Sequence, residues 1–378
     1  MPSQAIAISV GAGHHQLPLI LELQNRGFKV AAFDMNPASP GASAADYFAS
    51  ISSWDAPAAI QWLESLNCPF VGAFCYSYGK ALTTQLELIN NFHLHGRVDP
   101  QLVNLSHDKV KQRAFLRDAD LTQLEDIALD LPQASKHIQK EARYLIKDRL
   151  GGSSHGIRRI QGDELIREFE GAPETFSDLM AQMLLEGDEY RVIAAVQAGR
   201  LCFSAALKRQ NLAETFICAG YQTLSSTPAS IQYLTDRLLK AINQDNYFLK
   251  IDLLDTAQGI EVIEFDLGKP GDYFEPIIAP RLFDLDFTNL YIDLYLGEKI
   301  KQSIPWQAPA IQGYLDFLYS HDIGKWLSSG EDGVRQQLSA KTGSDFLLFQ
   351  AAGDWKNVKP GPPQSNMDVL GVMLRSKD

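Results

Sequence analysis

The sequence predicts a mixed α/β and α+β fold of several parts, and three observations carry that expectation. Residues 5–34 read strand, helix, strand; a glycine-serine turn at 151–156 joins two short strands; and strands within 247–267 alternate carboxylates with apolar residues. A chain of 378 residues with 45% hydrophobic content can bury several ordinary cores, so two or three subdomains are expected.

Residues 5–10 (AIAISV) form an apolar strand, and Leu17, Ile20 and Leu21 then recur at helical spacing up to a stop near Gly27. A strand over Lys29 to Asp34 completes a βαβ unit. A helix near Ala58 to Leu66, a strand over Phe70 to Phe74 and a helix near Lys80 to Ile89 extend it into a small parallel α/β domain. Gly11-Ala12-Gly13 closing the first strand and Asp34 ending the second suggest a dinucleotide site. The third glycine is missing, however, with Gln16 in its place, and His14-His15 puts bulk where a pyrophosphate would approach.

The pattern breaks between Gly96 and Leu105, where a first boundary falls. Ser106 then reads as the N-cap of a helix carrying Val110, Phe115 and Leu116, with Lys109 in its first turn. In Tyr144 to Ile160, YLIKDRLGGSSHGIRRI, strand formers lead to Lys147, whose ammonium emerges where strand meets turn. Gly151, Gly152 and Gly156 permit positive φ, and Ser153 and Ser154 add hydroxyl donors, which suits an anion. An ordinary hairpin with a soluble tip has the same composition. His155 at the tip reads as a solvated residue or, if the loop closes, a substrate contact. A helix over 163–170 follows, and residues 176–186 lead into Glu186-Gly187-Asp188-Glu189-Tyr190.

Tyr247 to Leu254 (YFLKIDLL) puts Leu249, Ile251 and Leu253 on one face and Phe248, Lys250 and Asp252 on the other. Residues 260–267 (IEVIEFDL) put Ile263, Phe265 and Leu267 on one face and Val262, Glu264 and Asp266 opposite. Paired as a hairpin around a loop of odd length, the strands bring Asp252 opposite Glu264. Like charges so placed repel, and a bound cation is the natural compensation. Oxygen-only ligands indicate Mg²⁺ or Mn²⁺, held by one or two carboxylates plus phosphates. The other reading is a polar face that sees only water. From Arg281 the chain is helical to about Leu296, and strands recur near Phe346 to Ala351 and Val369 to Leu374.

The balance of 34 Lys+Arg against 46 Asp+Glu, a formal charge of -12, opposes a polyanionic partner, so nucleic acid is not expected. Cys68, Cys75, Cys202 and Cys218 form no CxxC pair, which fits a reducing compartment. No apolar stretch reaches the length of a membrane span and the start lacks a basic leader, so a cytoplasmic protein is expected. No Ser-His-Asp set or G-x-S-x-G elbow marks a covalent nucleophile.

The string from Lys147 to Gly156 resembles the glycine-rich loop of ATP-grasp amino-acid ligases, roughly V-K-P-x-x-x-G-S-S-x-G, with Asp148 in place of the proline. Val30 to Phe48, VAAFDMNPASPGASAADYF, resembles the segment V-x-x-x-D-x-N-P-x-A-P in the Rossmann-like domain that precedes the grasp domain and binds no NAD. The resemblance covers nearly the whole chain and implies a pre-ATP-grasp domain over 1–104. It further implies a two-lobed ATP-grasp domain over 105–300, with a lid at about 120–185, and a C-terminal subdomain over 301–378 that completes the catalytic lobe.

What it implies for the site is equally specific. Asp108-Lys109 matches the D-K helix, so Lys109 and Lys147 with Gly152, Ser153 and Ser154 would hold the ATP phosphates. Gln182, where the family has glutamate, and Leu184 would line the adenine hinge, and Glu189 would bind ribose. Asp252, Glu264 and Asp266 would be the metal ligands, with Asp266 for the usual asparagine. Lys250 stands where D-alanine-D-alanine ligases have an arginine and would stabilise the tetrahedral oxyanion. Gly268 replaces the arginine of the motif A-R-x-G-G, and Lys269 stands beside it as a substitute cation.

The implied activity is an ATP-dependent carboxylate-amine ligase working through an acyl phosphate. Its partners would be small-molecule carboxylate and amine substrates, with a homodimer as one option for its assembly. A carboxylase or small-metabolite kinase of the same superfamily, and an ATP-binding module without turnover, are the competing readings.

Overall fold

The computed structural model describes residues 5–376 apart from 78, 97–98, 132, 151–155, 269, 272, 301–303, 343–344, 349–360 and 365–367. Among the described residues the strands form three sheets. The first is built from β1 (Ile6–Val10), β2 (Lys29–Phe33), β3 (Tyr47–Ala49) and β4 (Phe70–Phe74), parallel in the order β3-β2-β1-β4. Helices α1 (Leu17–Asn25), α2 (Ala56–Ser65) and α3 (Lys80–Asn91) connect and flank these strands. Every residue of β1 is buried, as expected for a parallel strand covered on both faces.

The glycine turn after β1 is closed to a dinucleotide by its own side chains. Asp34 accepts from the amides of Ala12 (3.0 Å) and Asn36 (2.9 Å), and the Gln16 amide donates to the Tyr76 carbonyl at 2.8 Å. The acid that would meet a ribose therefore shapes the turn instead.

Residues 100–105, read from sequence as part of a boundary, lie in helix α4 (Pro100–His107). Asp99 caps it by accepting from the Gln101 amide at 2.8 Å, and Pro100 takes the first position, where no amide donor is needed. Ser106 lies inside this helix, its hydroxyl donating to the Val103 carbonyl, so the expected cap falls two residues later. Asp108 is the N-cap of α5 (Lys109–Asp118).

The second sheet, β5 (Asp126–Ala128), β6 (Arg143–Asp148), β7 (Arg158–Gln161) and β8 (Leu179–Met183), is antiparallel in the order β5-β8-β6-β7. With α6 (Gly162–Gly171) it encloses its own small core, in which Tyr144, Ile146, Leu165 and Phe169 meet.

The third sheet has eight strands. They are β9 (Asp188–Gln197), β10 (Arg200–Asn211), β11 (Cys218–Thr223), β12 (Tyr247–Thr256), β13 (Gly259–Leu267), β14 (Gly313–Leu318), β15 (Asp345–Leu348) and β16 (Gly371–Ser376). Their order is β13-β12-β9-β10-β11-β14-β16-β15, so β13 is an edge and the C-terminal strands extend the same sheet that holds the carboxylates. Between them run α7 (Ala229–Ile242), α8 (Ala279–Phe283) and α9 (Phe287–Leu296). Tyr291 of α9 ties the first sheet to the third: its hydroxyl accepts from the Cys75 amide and donates to the Cys75 carbonyl at the end of β4. No helix among the described residues is long and apolar enough to cross a membrane.

The β12–β13 hairpin carries a correction to simple alternation. A two-residue turn pairs Thr256 with Gly259, and that register continues to Leu253 and Val262. Carried further it would set Asp252 opposite Ile263. Instead the register shifts by one, Ile263 is the extra residue of a β-bulge, and Asp252 faces Glu264. Val262, expected beside Glu264, is fully buried, while Ile263 stands with Glu264 on the open side.

Candidate active site

A cleft of about 780 Å³ opens between the second and third sheets, with the starts of α3 and α5 at its rim. Lys109, Lys147, Gln182, Leu184, Glu189, Lys250, Asp252, Glu264 and Asp266 all line it. Gly152, Ser153, Ser154, His155 and Lys269 lie outside the described residues.

Lys147 leaves β6 almost buried and donates to the Gln182 side-chain oxygen on β8 at 3.0 Å. Burial pushes its pKa down, against Asp126 and Glu264, which favour the charge. The other end of the Gln182 amide donates to Asp126 at 2.8 Å, and Asp126 pairs with the guanidinium of Arg113 at 3.3 Å. Both ends of Gln182 are thus committed to holding the lysine, and the place in the adenine hinge expected of it is not what its neighbours prepare. Leu184 is likewise engaged, since its amide donates to the Arg143 carbonyl at 2.7 Å; the next residue, Leu185, lines the same wall.

Lys109 is the first residue of α5 and projects from its capped start. Arg149, just after β6, grips the capping residue Asp108 with two bonds of 2.8 Å each. The two lysines are therefore brought to one cleft by a helix start and a strand end that are tied together. Burial works against the charge of Asp108, but Arg149 and the Lys111 amide outweigh it and hold the carboxyl below its ordinary value.

Gly187 immediately precedes β9, the strand that carries Glu189. A Cβ there would lie 2.3 Å from the Asp255 carbonyl oxygen, so only glycine lets this segment approach β12. Glu189 then accepts from the Arg209 guanidinium and, at 2.7 Å, from the Asn211 amide.

The carboxylate face lies opposite. Lys250 pairs with Asp266 across the β12–β13 ladder, and its ammonium stands among all three acids, 2.6 Å from Asp266, 3.3 Å from Asp252 and 3.7 Å from Glu264. Arg191, the cross-strand neighbour of Asp252 on β9, donates to both its oxygens at 2.7 and 3.1 Å and to the Tyr221 hydroxyl at 2.5 Å. Burial disfavours both charges. Arg191 and Lys250 nevertheless hold the Asp252 carboxyl far below its ordinary range, and the three acids hold the Lys250 ammonium far above its own.

Arg191, Arg209 and Arg113 were missed by sequence reading. Arg191 and Arg209 find their partners on neighbouring strands and Arg113 reaches from a helix to strands, so the only local signal was the alternation that puts Glu189 and Arg191 on one face. His107 was also missed; it lines the cleft, and burial pushes its pKa down against the pull of Asp266.

Oxygen-only donors suit a hard divalent cation. Among the described residues no group of three acidic, histidine or cysteine side chains is disposed to hold one unaided. Asp252 is gripped by Arg191, whereas the Glu264 and Asp266 side chains are 28% and 34% exposed toward the cleft. That set fits a cation shared with ligand phosphates rather than one caged by protein alone. Gly268, where an arginine was sought, has φ +110° and packs on Leu82, so a side chain there would be strained.

No protein-family model matches the chain, and no curated protein does. Solved structures resemble it over nearly its whole length. An L-amino acid ligase from Bacillus licheniformis aligns with 100% of this chain and 94% of its own, at 16% identity and a TM-score of 0.72. An N5-carboxyaminoimidazole synthetase from Staphylococcus aureus, complexed with ADP, aligns with 100% and 94% at 13% identity and a TM-score of 0.70. A phosphoribosylglycinamide synthetase from Anaerococcus prevotii aligns with 98% and 93% at 14% identity and a TM-score of 0.67. The chain therefore has the ATP-grasp fold that the glycine-loop resemblance implied.

Proposed function

We propose that this chain is an ATP-dependent carboxylate-amine ligase that makes an amide through an acyl phosphate and releases ADP and phosphate. The observation that carries the reading is the convergence in one cleft of two lysines, a glutamate beside a hinge strand and a carboxylate face. The resemblance to an L-amino acid ligase agrees with it. ATP would lie with its adenine against the Leu184-Leu185 wall, its ribose on Glu189 and its phosphates between Lys109 and Lys147. Glu264 and Asp266 would hold Mg²⁺ or Mn²⁺, with Asp252 behind them, and the metal would supply charge neutralisation to the transferred phosphoryl group.

In the first step a carboxylate oxygen of the substrate bonds to the γ-phosphorus and the bond to ADP breaks. In the second an amine nitrogen attacks the acyl carbon, phosphate leaves with its bonding electron pair, and the amine proton passes to the released phosphate. Lys109 and Lys147, which line the cleft, would stabilise charge on the phosphates, and Lys250 would meet the tetrahedral oxyanion. The four cysteines form no disulfide, in keeping with a cytoplasmic enzyme of small molecules.

Incubation with ATP, Mg²⁺ and a matrix of carboxylates and amines tests the proposal. Stoichiometric ADP, phosphate and amide are expected. ADP with a carboxylated or phosphorylated product and no amide would replace it with the carboxylase or kinase reading, and nucleotide binding without any product would leave a binding module.

A further inference from the structure

The position of Lys250 has a consequence for the order in which the cleft fills. Its side chain is 13% exposed and its ammonium is within 4 Å of an oxygen of each of Asp252, Glu264 and Asp266. Asp252 is further held by Arg191. On this face two cations therefore stand against three carboxylates, and the ammonium fills the place between the acids that a divalent ion would take. An ion arriving alone would have to displace the lysine from the two carboxylates open to the cleft, with nothing to receive the displaced charge. An ion arriving with nucleotide brings phosphate oxygens that can receive it.

We propose that Lys250 is a built-in counter-cation that excludes divalent metal from the carboxylate face until nucleotide phosphates arrive, so that metal binding is conditional on nucleotide. The inference rests on the reading of Glu264 and Asp266 as cation ligands in an ATP site, and it assigns Lys250 a second task before any chemistry. The lysine moves from the carboxylates toward the phosphates as the complex forms, which delivers its charge where the reaction needs it.

Binding of Mn²⁺ alone, followed by the loss of the free-ion paramagnetic resonance signal, tests this on the intact chain. Wild type should leave millimolar Mn²⁺ free, whereas Lys250→Met, similar in length but uncharged, should bind it about tenfold more tightly or better. The double variant Lys250→Met with Glu264→Gln should lose that gain, which places the ion on this face. Thermal melting gives a second measurement: Mn²⁺ alone should raise the midpoint of Lys250→Met and leave wild type unmoved. Lys250→Gln serves in the same assays if the methionine variant does not fold.

Equal Mn²⁺ affinity in wild type and both Lys250 variants, or tight binding of Mn²⁺ alone by wild type, would overturn the inference. A separate titration of wild type with Mn²⁺ and a non-hydrolysable ATP analogue reports on the underlying reading. Failure to bind the analogue sinks the ATP site, while the metal-only comparison still decides the role of Lys250.

Discussion

Arg113 donates to the carbonyl of Ile263 at 2.5 Å and, from the same guanidinium, to that of Val262 at 2.6 Å. These are the carbonyls at the bulge that shifts the β12–β13 register and brings Glu264 opposite Asp252. Its neighbour Gln112 bonds both the amide and the carbonyl of Phe265, so α5 serves as the missing partner of this edge strand. The placement of the carboxylates thus depends on a helix far from them in sequence.

Replacing Arg113 with lysine keeps a charge for Asp126 but loses the fork that reaches two carbonyls. The variant should lose about 1–3 kcal/mol in urea unfolding, and its rate of ADP formation should fall more than the affinity for ATP. Methionine at the same position leaves the buried Asp126 without its ion-pair partner, held only by the Gln182 amide, and should cost about 3–5 kcal/mol. A lysine variant with the wild-type rate would mean that the bulge holds its register without the fork.

Lys147→Ala removes a nearly buried ammonium from the wall of the cleft. Calorimetry should show ATP binding weakened by about 1.5–3 kcal/mol, and Lys109→Ala should do the same if both lysines meet phosphate. Unchanged affinity in both variants would remove the phosphate clamp.

Gln182→Glu restores the residue that the resemblance leads one to expect, and it should be harmful here. The Gln182 amide nitrogen is 2.8 Å from Asp126, so a glutamate would set two carboxylates against each other in a buried place. Its other oxygen would pair with the Lys147 ammonium and offset part of this, so a loss of about 1–3 kcal/mol at neutral pH is expected, what the lost hydrogen bond and the repulsion leave after that pairing. The loss should shrink as acid protonates one member of the pair, which urea unfolding at several pH values would reveal. A variant as stable as wild type would contradict the Lys147-Gln182-Asp126 chain.

Asp108 gives a pH dependence of known sign. Its folded pKa is lowered, because Arg149 and the Lys111 amide outweigh the burial that opposes its charge. Its contribution to stability is complete above the unfolded carboxyl pKa of about 3.9 and is lost as pH falls through the folded value. Asp108→Asn should therefore be less stable than wild type near neutrality, and the gap should narrow below about pH 4. A gap that stays constant through acid would mean that the Arg149 clamp adds nothing.

Much of this was legible in the sequence because it was local. The βαβ run and the alternation of Lys250, Asp252, Glu264 and Asp266 depend only on residues two to four apart. What was missed depended on distant partners: the bulge at Ile263 is braced by Arg113, and Arg191 faces Asp252 only once β9 and β12 are paired. The helix at 100–107 was a different failure, since Asp99-Pro100 is an N-cap and first-turn proline in plain view.

The carboxylate face offers the sharpest separation of fold from chemistry. Asp252 is bonded twice by Arg191 and lies 3.3 Å from Lys250, so Asp252→Asn would leave two buried cations undercompensated and should cost about 3–5 kcal/mol. Glu264 is more open, and its ion-pair contact with Lys250 is the longest of the three, at 3.7 Å. Glu264→Gln should therefore melt within a few degrees of wild type, since surface pairs contribute about 1 kcal/mol or less. It should nonetheless lose ADP formation, because the metal would be one anionic ligand short. Asp266→Asn keeps an oxygen ligand and matches the family's usual residue, so it should be the mildest of the three in activity. If Asp266→Asn were inactive while Glu264→Gln kept its ADP formation, the assignment of metal ligands along β13 would fail and the match to the family motif would have to be given up.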